Sequence, residues 1–120
     1  DRPGVRLGVS QGSSSQTTLG AKLKQAVIRP QPSLSVAKQL LEQGELDAFA
    51  TNKGILFELA DQLPQHHVLE DAWGHEQLAI AIPMGRTQAM PWLQDFAAEV
   101  VQKGTLQRMA QQAGLRGLAR

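Results

Sequence analysis

Val5-Arg6-Leu7-Gly8-Val9-Ser10 alternates apolar with other residues over six positions, the two-residue period of a β-strand. The alternation stops at Gln11-Gly12, and residues 13–18 form a small, polar run suited to capping a helix. Leu19, Leu23 and Ala26 then recur at helical spacing. Residues 27–29 predict a second strand ahead of Pro30 and Pro32. Ser33 predicts the cap of a second helix, with Leu34, Ala37, Leu40 and Leu41 on one face and Gly44 as its stop. Leu46-Asp47-Ala48-Phe49-Ala50-Thr51 is nearly continuous in apolar residues, which predicts a third strand covered on both faces. Asn52 predicts the cap of a third helix carrying Ile55, Leu56, Leu59 and Leu63, closed by Pro64. Residues 67–69 predict a short fourth strand, and Leu78-Ala79-Ile80-Ala81-Ile82-Pro83 a fifth.

Beyond Gly85 the period changes. Pro91 suits the first turn of a helix, and Leu93, Phe96, Ala97, Val100 and Val101 follow at three- and four-residue steps. Gly104 predicts its end, and Thr105 predicts the cap of a last helix with Leu106, Met109, Ala110 and Ala113. Strands and helices alternating through residue 83 predict an α/β fold. The expected architecture is a three-layer unit with a mainly parallel five-stranded sheet, followed by two C-terminal helices. The expected division is an α/β ligand-binding lobe over residues 4–83 and a helical segment over 84–120.

Composition narrows the function classes. The chain has 120 residues, 42% hydrophobic and 19% charged, with a net charge of +1. That balance suits an ordinary globular core and argues against general attraction to nucleic acid or anionic lipid. Cysteine is absent, which removes thiol catalysis and cysteine-based metal sites. No stretch approaches the ~20 apolar residues of a membrane-spanning helix. Asp1-Arg2-Pro3-Gly4 does not have the make-up of a signal peptide.

In a mainly parallel sheet, ligands bind at the carboxyl ends of the strands, near a switch in strand order. Two strand-to-helix junctions fall there. The first is Gly12-Ser13-Ser14-Ser15-Gln16-Thr17. A helix start offers unpaired N–H groups and positive partial charge to a carboxylate, sulfonate or phosphate, and the hydroxyls add donors. The alternative is that one serine caps the helix and the rest are solvated. The spacing fits neither a Walker loop nor a dinucleotide fingerprint, so no cofactor is expected. The second junction, residues 51–53, places Asn52 either to meet a ligand or to cap its own helix. Trp73 could stack on a ligand or pack. Asp47 reads as a turn or capping residue. His66 and His67 would point to opposite faces of a strand without a third ligand, so no metal site is expected. His75 and Glu76 are candidates for acid–base work, without a supporting pattern.

In order, Gly8-Val9-Ser10-Gln11-Gly12-Ser13-Ser14, then Leu40-Leu41-Glu42-Gln43-Gly44-Glu45-Leu46-Asp47-Ala48, then Ala79-Ile80-Ala81-Ile82-Pro83 ahead of two helices, resemble a known pattern. It is that of the amino-acid-binding family of bacterial ABC-transporter solute-binding proteins. Ala113-Gly114-Leu115-Arg116-Gly117 resembles a proteobacterial subgroup of it. The similarity runs over nearly the whole chain. It implies a periplasmic, two-lobed binding protein of which residues 4–77 form lobe two, while residues 84–120 belong with a first lobe lying mostly outside this chain. It also implies a small-molecule ligand, an ABC permease as membrane partner, and no catalysis. The face of residues 93–101 would then lack its cover and could pair with a second copy.

By the same resemblance, Gly12, Ser13 and Ser14 (with Ser15 beside them) hold a ligand carboxylate. The position that often carries an Asp, paired to the ligand's α-amino group, falls on Asn52. A neutral amide cannot neutralise an ammonium in a dry cleft, so an anion without an ammonium fits better. The alternatives on the same fold are a periplasmic dehydratase using His75 or Glu76, and a sensory ligand-binding domain.

Overall fold

A computed structural model describes residues 1–119. The chain falls into two compact units, Asp1–Asp71 and the residues from Ala72 onward, so residues 72–83 group with the helical part.

The first unit runs β1 (Arg6–Ser10), α1 (Ser14–Lys22), β2 (Val27–Gln31), α2 (Leu34–Glu42), β3 (Ala48–Ala50) and α3 (Lys53–Asp61). Its three strands are parallel in the order β2-β1-β3, with Leu7 beside Ile28 on one side and Ala48 on the other. Successive residues of a strand point to opposite faces, and that alternation sorts the core into two layers. Leu7 and Val9 pack with Leu19, Leu23, Ile28 and Ala50, which seats α1 on one face. Leu46 and Phe49 pack with Leu40, Leu41, Leu59 and Leu63, which seats α2 and α3 on the other. Val9, next to last in the central strand, is fully buried. Gly8, pointing the other way, is there because of space. A Cβ at that position would lie 2.7 Å from Leu46 Cδ1 and 2.9 Å from Phe49 Cδ2.

Local chemistry sets the helix ends. Ser13 Oγ accepts from the Gln16 N–H, Ser33 Oγ from the Val36 N–H and Asn52 Oδ1 from the Ile55 N–H, so all three are N-caps. α2 stops where Gly44 turns left-handed at φ +70°. The Gly44 N–H then donates to the Leu41 carbonyl and the Glu45 N–H to that of Leu40.

The architecture corrects several expectations. The parallel sheet has three strands among the described residues, not five. Residues 67–69 follow the α3 turn without entering the sheet, and no backbone hydrogen bond joins them to β3, a ladder only three residues long. Residues 78–83 are irregular chain without a ladder partner among the described residues, and Leu78 is 92% exposed. An apolar run becomes a strand only when a neighbour takes up its N–H and C=O groups, and the second unit has no extended segment to do so among its described residues. β3 is shorter than residues 46–51 and lies at the sheet edge. β2 runs on through Pro30, which an edge strand tolerates because no neighbour needs its missing N–H. α1 gives way to extended backbone at Leu23, leaving Ala26 outside the helix.

The second unit holds a 3-10 turn at Thr87–Ala89, α4 (Met90–Gln102) and α5 (Thr105–Gln112). Pro91 sits in the first turn of α4, and the Trp92 and Phe96 rings stack with centroids 5.6 Å apart. The residue capping α5 is Gly104, in left-handed conformation. Thr105 instead begins the helix and accepts from Arg108 through Oγ1. Among the described residues no helix is long and apolar enough to cross a membrane.

Candidate functional site

Parallel strands all finish at the same end of the sheet, so α1, α2 and α3 all begin there. Their first turns contain no acidic residue. Three positive helix ends therefore meet one sheet edge without a side-chain carboxylate to offset them. Within that edge the order β2-β1-β3 matters most. The chain leaves β1 toward one neighbour and later returns to the other, so α1 and α3 depart from adjacent strands to opposite faces. In open α/β sheets, a pair of helices diverging in this way is where a ligand crevice forms. Val9 is level with Ala50, so the Gly12 turn and residues 51–53 leave adjacent strands at the same end of the sheet.

The Gly12 turn is built from its own backbone. The Gln11 N–H donates to the Gln31 carbonyl at 2.9 Å, which ties the turn to the end of β2. Gly12 then takes φ +74°, a conformation open to glycine, and the Ser13 N–H donates back to the Ser10 carbonyl. Gln16 Oε1 accepts from the Gly12 N–H at 2.8 Å while its own N–H meets Ser13 Oγ, a close variant of the capping box. Among the described residues, the amides of Ser14 and Ser15 have no partner. Ser15 is 4% exposed and Ser14 open to solvent.

Comparison with protein-family models, curated proteins and solved structures finds no match. The site is therefore read from its own chemistry.

Gly12, Ser13, Ser14, Ser15 and Asn52 are brought to one edge; Trp73 belongs to the second unit, where it is 42% exposed. Ser13 and Asn52 both serve as caps, which turns one acceptor lone pair of each oxygen to its own helix. What each retains toward solvent includes donor capacity: the Ser13 hydroxyl proton and the Asn52 amide NH2. With the Ser14 and Ser15 amides, the edge is rich in donors and matched to an anion.

Lys53, the first residue of α3, adds a positive charge; its Nζ donates to the Glu70 carbonyl. Gln16 and Lys53 lie inside the two expected junctions, but neither was expected to have a role of its own. A cation in the first turn runs against the helix dipole, and Ser13 and Gln16 have capping-box spacing, so both carried a signal.

The remaining candidates go elsewhere. Asp47 sits at the opposite end of the sheet. Its carboxylate accepts from Arg6 N at 2.7 Å, from Nε at 2.9 Å and from Nη2 at 2.8 Å, while Nη2 also reaches the Gly44 carbonyl. These bonds hold the Asp47 carboxyl well below the usual carboxylate range, the Arg6 side chain contributing most and its N–H next. His66 and His67 lie in exposed chain after α3, and no group of three metal-ligating side chains forms among the described residues. His75 and Glu76 are exposed in irregular chain of the second unit. A groove of about 260 Å³ between α2 and α3, floored by Leu34, Ile55 and Leu59, does not include the Gly12 turn.

Proposed function

We propose that this chain is the ligand-binding part of a solute receptor serving an ABC-type transporter, and that it holds a small anion in the crevice between β1 and β3. The carrying observation is the pair of unpartnered amides at Ser14 and Ser15, at the start of the helix that follows β1, whose neighbour β3 leads into Asn52 and Lys53. The ordered similarity of the motifs at residues 8–14, 40–48 and 79–83 to solute-binding proteins supplies the transport context. The reading also draws on the exposed apolar residues Leu78 and Ile80, which suit a segment that packs against a further lobe. Closure of two lobes around a solute is the state such a receptor presents to its permease.

Asn52 refines the solute class. Its oxygen accepts from the Ile55 N–H, and no carboxylate begins α1, α2 or α3. An ammonium group brought to this edge would meet donors and the Lys53 charge. The favoured solute is a carboxylate, sulfonate or phosphate without an α-ammonium group.

Titration of the 15N-labelled chain with acetate, methanesulfonate, phosphate and glycine tests the reading. Saturable shifts at the amides of residues 12–15 and 51–53 are expected with the anions, at ~1 mM affinity or weaker, because one lobe supplies half of the contacts. Glycine should leave them unmoved. Sub-micromolar binding in calorimetry would overturn the half-site reading, and anion shifts confined to other residues would overturn the site.

A further inference from the structure

The loop between α1 and β2 holds an anion that belongs to the chain itself. The Asp1 carboxylate accepts from three consecutive backbone amides: Lys24 at 2.7 Å, Gln25 at 3.1 Å and Ala26 at 2.9 Å. Gln25 adds a contact from Nε2 to the Asp1 carbonyl at 3.4 Å. Three successive N–H groups aimed at one point form an anion-binding concavity, and Lys24 brings a positive charge beside it. The contact spans more than twenty residues of sequence, so it is tertiary rather than part of a local turn. It lies at the end of the sheet opposite the crevice, just before β2 begins, and does not depend on the solute reading.

We propose that the amides of residues 24–26 are a carboxylate-binding site, occupied in cis by Asp1, and that residues 1–4 are a strap held by this exchangeable anion. The arrangement supports exchange in two ways. Asp1 and the loop's Lys24 and Gln25 are solvent-exposed, so a free carboxylate reaches the amides without a path through the core. The amides are also held independently of Asp1: Leu23, just before them, donates to the Leu19 carbonyl at 2.8 Å, and Val27, just after, to that of Val5 at 2.8 Å. The two ends of the loop are therefore fixed whether or not Asp1 occupies it. Its ligand class is a monocarboxylate, whether a side chain or a free acid.

The test compares the wild-type chain with Asp1→Ala by 15N-resolved NMR, titrating each with sodium acetate against sodium chloride at equal ionic strength. In Asp1→Ala, hydrogen exchange at residues 24–26 should speed up roughly tenfold or more as charge-assisted bonds are lost. Acetate, and not chloride, should then shift these three amides saturably and slow their exchange again. The wild type should not respond there, because Asp1 fills the site. Absence of a saturable acetate response in Asp1→Ala would overturn the proposal, as would an equal response in the wild type. Should Asp1→Ala not fold, Asp1→Asn carries the same titration, since it removes the charge and keeps the shape.

Discussion

Where its strands begin, the three-stranded sheet is fastened by carboxylates; where they end, it keeps backbone donors that no side chain takes up. At the first end Asp47 grips Arg6 at both backbone and guanidinium, and Asp1 caps the loop entering β2. At the second end the only oxygens offered to α1 and α3 are those of Ser13, Gln16 and Asn52, and the Ser14 and Ser15 amides stay open among the described residues. One unit thus separates its polar groups by task. Those at the entry edge satisfy each other and hold the strands in register. Those at the exit edge include two amides without a partner among the described residues. Substitutions at the two ends should accordingly be distinguishable, one set by stability and the other by anion response.

The largest loss should come from neither end. Gly8→Val places a branched side chain where even one carbon would press on Leu46 and Phe49. Overpacking of this kind typically costs about 1–3 kcal/mol. Denaturant unfolding should show that loss, with anion shifts at residues 12–15 retained in the folded fraction; an unchanged midpoint would mean the layer is looser than its contacts indicate. Asp47→Asn comes next and acts at the fastened end. The folded Asp47 carboxyl titrates far below its unfolded value of about 3.9, so its contribution is fully present above that pH. It is lost as the pH falls toward the folded value. Thermal melts of the wild type should therefore weaken steadily below about pH 4. Asp47→Asn should melt lower at neutral pH and show a shallower acid slope. Parallel curves for the two proteins would remove the pair from the stability of this end.

This division was partly legible in the residues. The strand period of residues 5–10, a helix start within the polar run of residues 13–18, the caps at Ser33 and Asn52, and the stop at Gly44 are local, and each formed where the pattern put it. The two extra strands failed because a ladder is not local. Leu78-Ala79-Ile80-Ala81-Ile82 has strand-like composition, but composition does not supply a hydrogen-bonding neighbour. The site divides in the same way. Gly12, Ser13, Ser14, Ser15 and Asn52 lie at strand-to-helix junctions, which periodicity locates. Trp73 lies in irregular chain, which no period locates. The Asp47–Arg6 grip and the Asp1 loop join residues far apart in sequence, beyond the reach of any local pattern.

A smaller effect should separate capping from binding. Ser13→Ala and Ser33→Ala each remove a cap oxygen and should each cost about 1 kcal/mol in denaturant unfolding. Only Ser13 borders the Gly12 turn, so only its loss should also weaken the anion shifts at residues 12–15. Equal anion responses in the two variants would reduce Ser13 to a cap.

The smallest change in stability is expected from Asn52→Asp, and it is the sharpest test of what the open end prefers. Asp and Asn cap helices about equally well, so the bond to the Ile55 N–H should survive and unfolding should shift by only a few tenths of a kcal/mol. An acid at a helix start is, if anything, favoured by the dipole. What changes is the sign of charge facing the Gly12 turn. A carboxylate there repels a simple anion and offers an ammonium the partner that the wild-type edge lacks. Acetate shifts at residues 12–15 should therefore shrink several-fold, and glycine, silent in the wild type, should begin to move residues 12–15 and 51–53 together. If acetate binds Asn52→Asp as it binds the wild type, the solute sits on α1 alone and the second junction takes no part in recognising it.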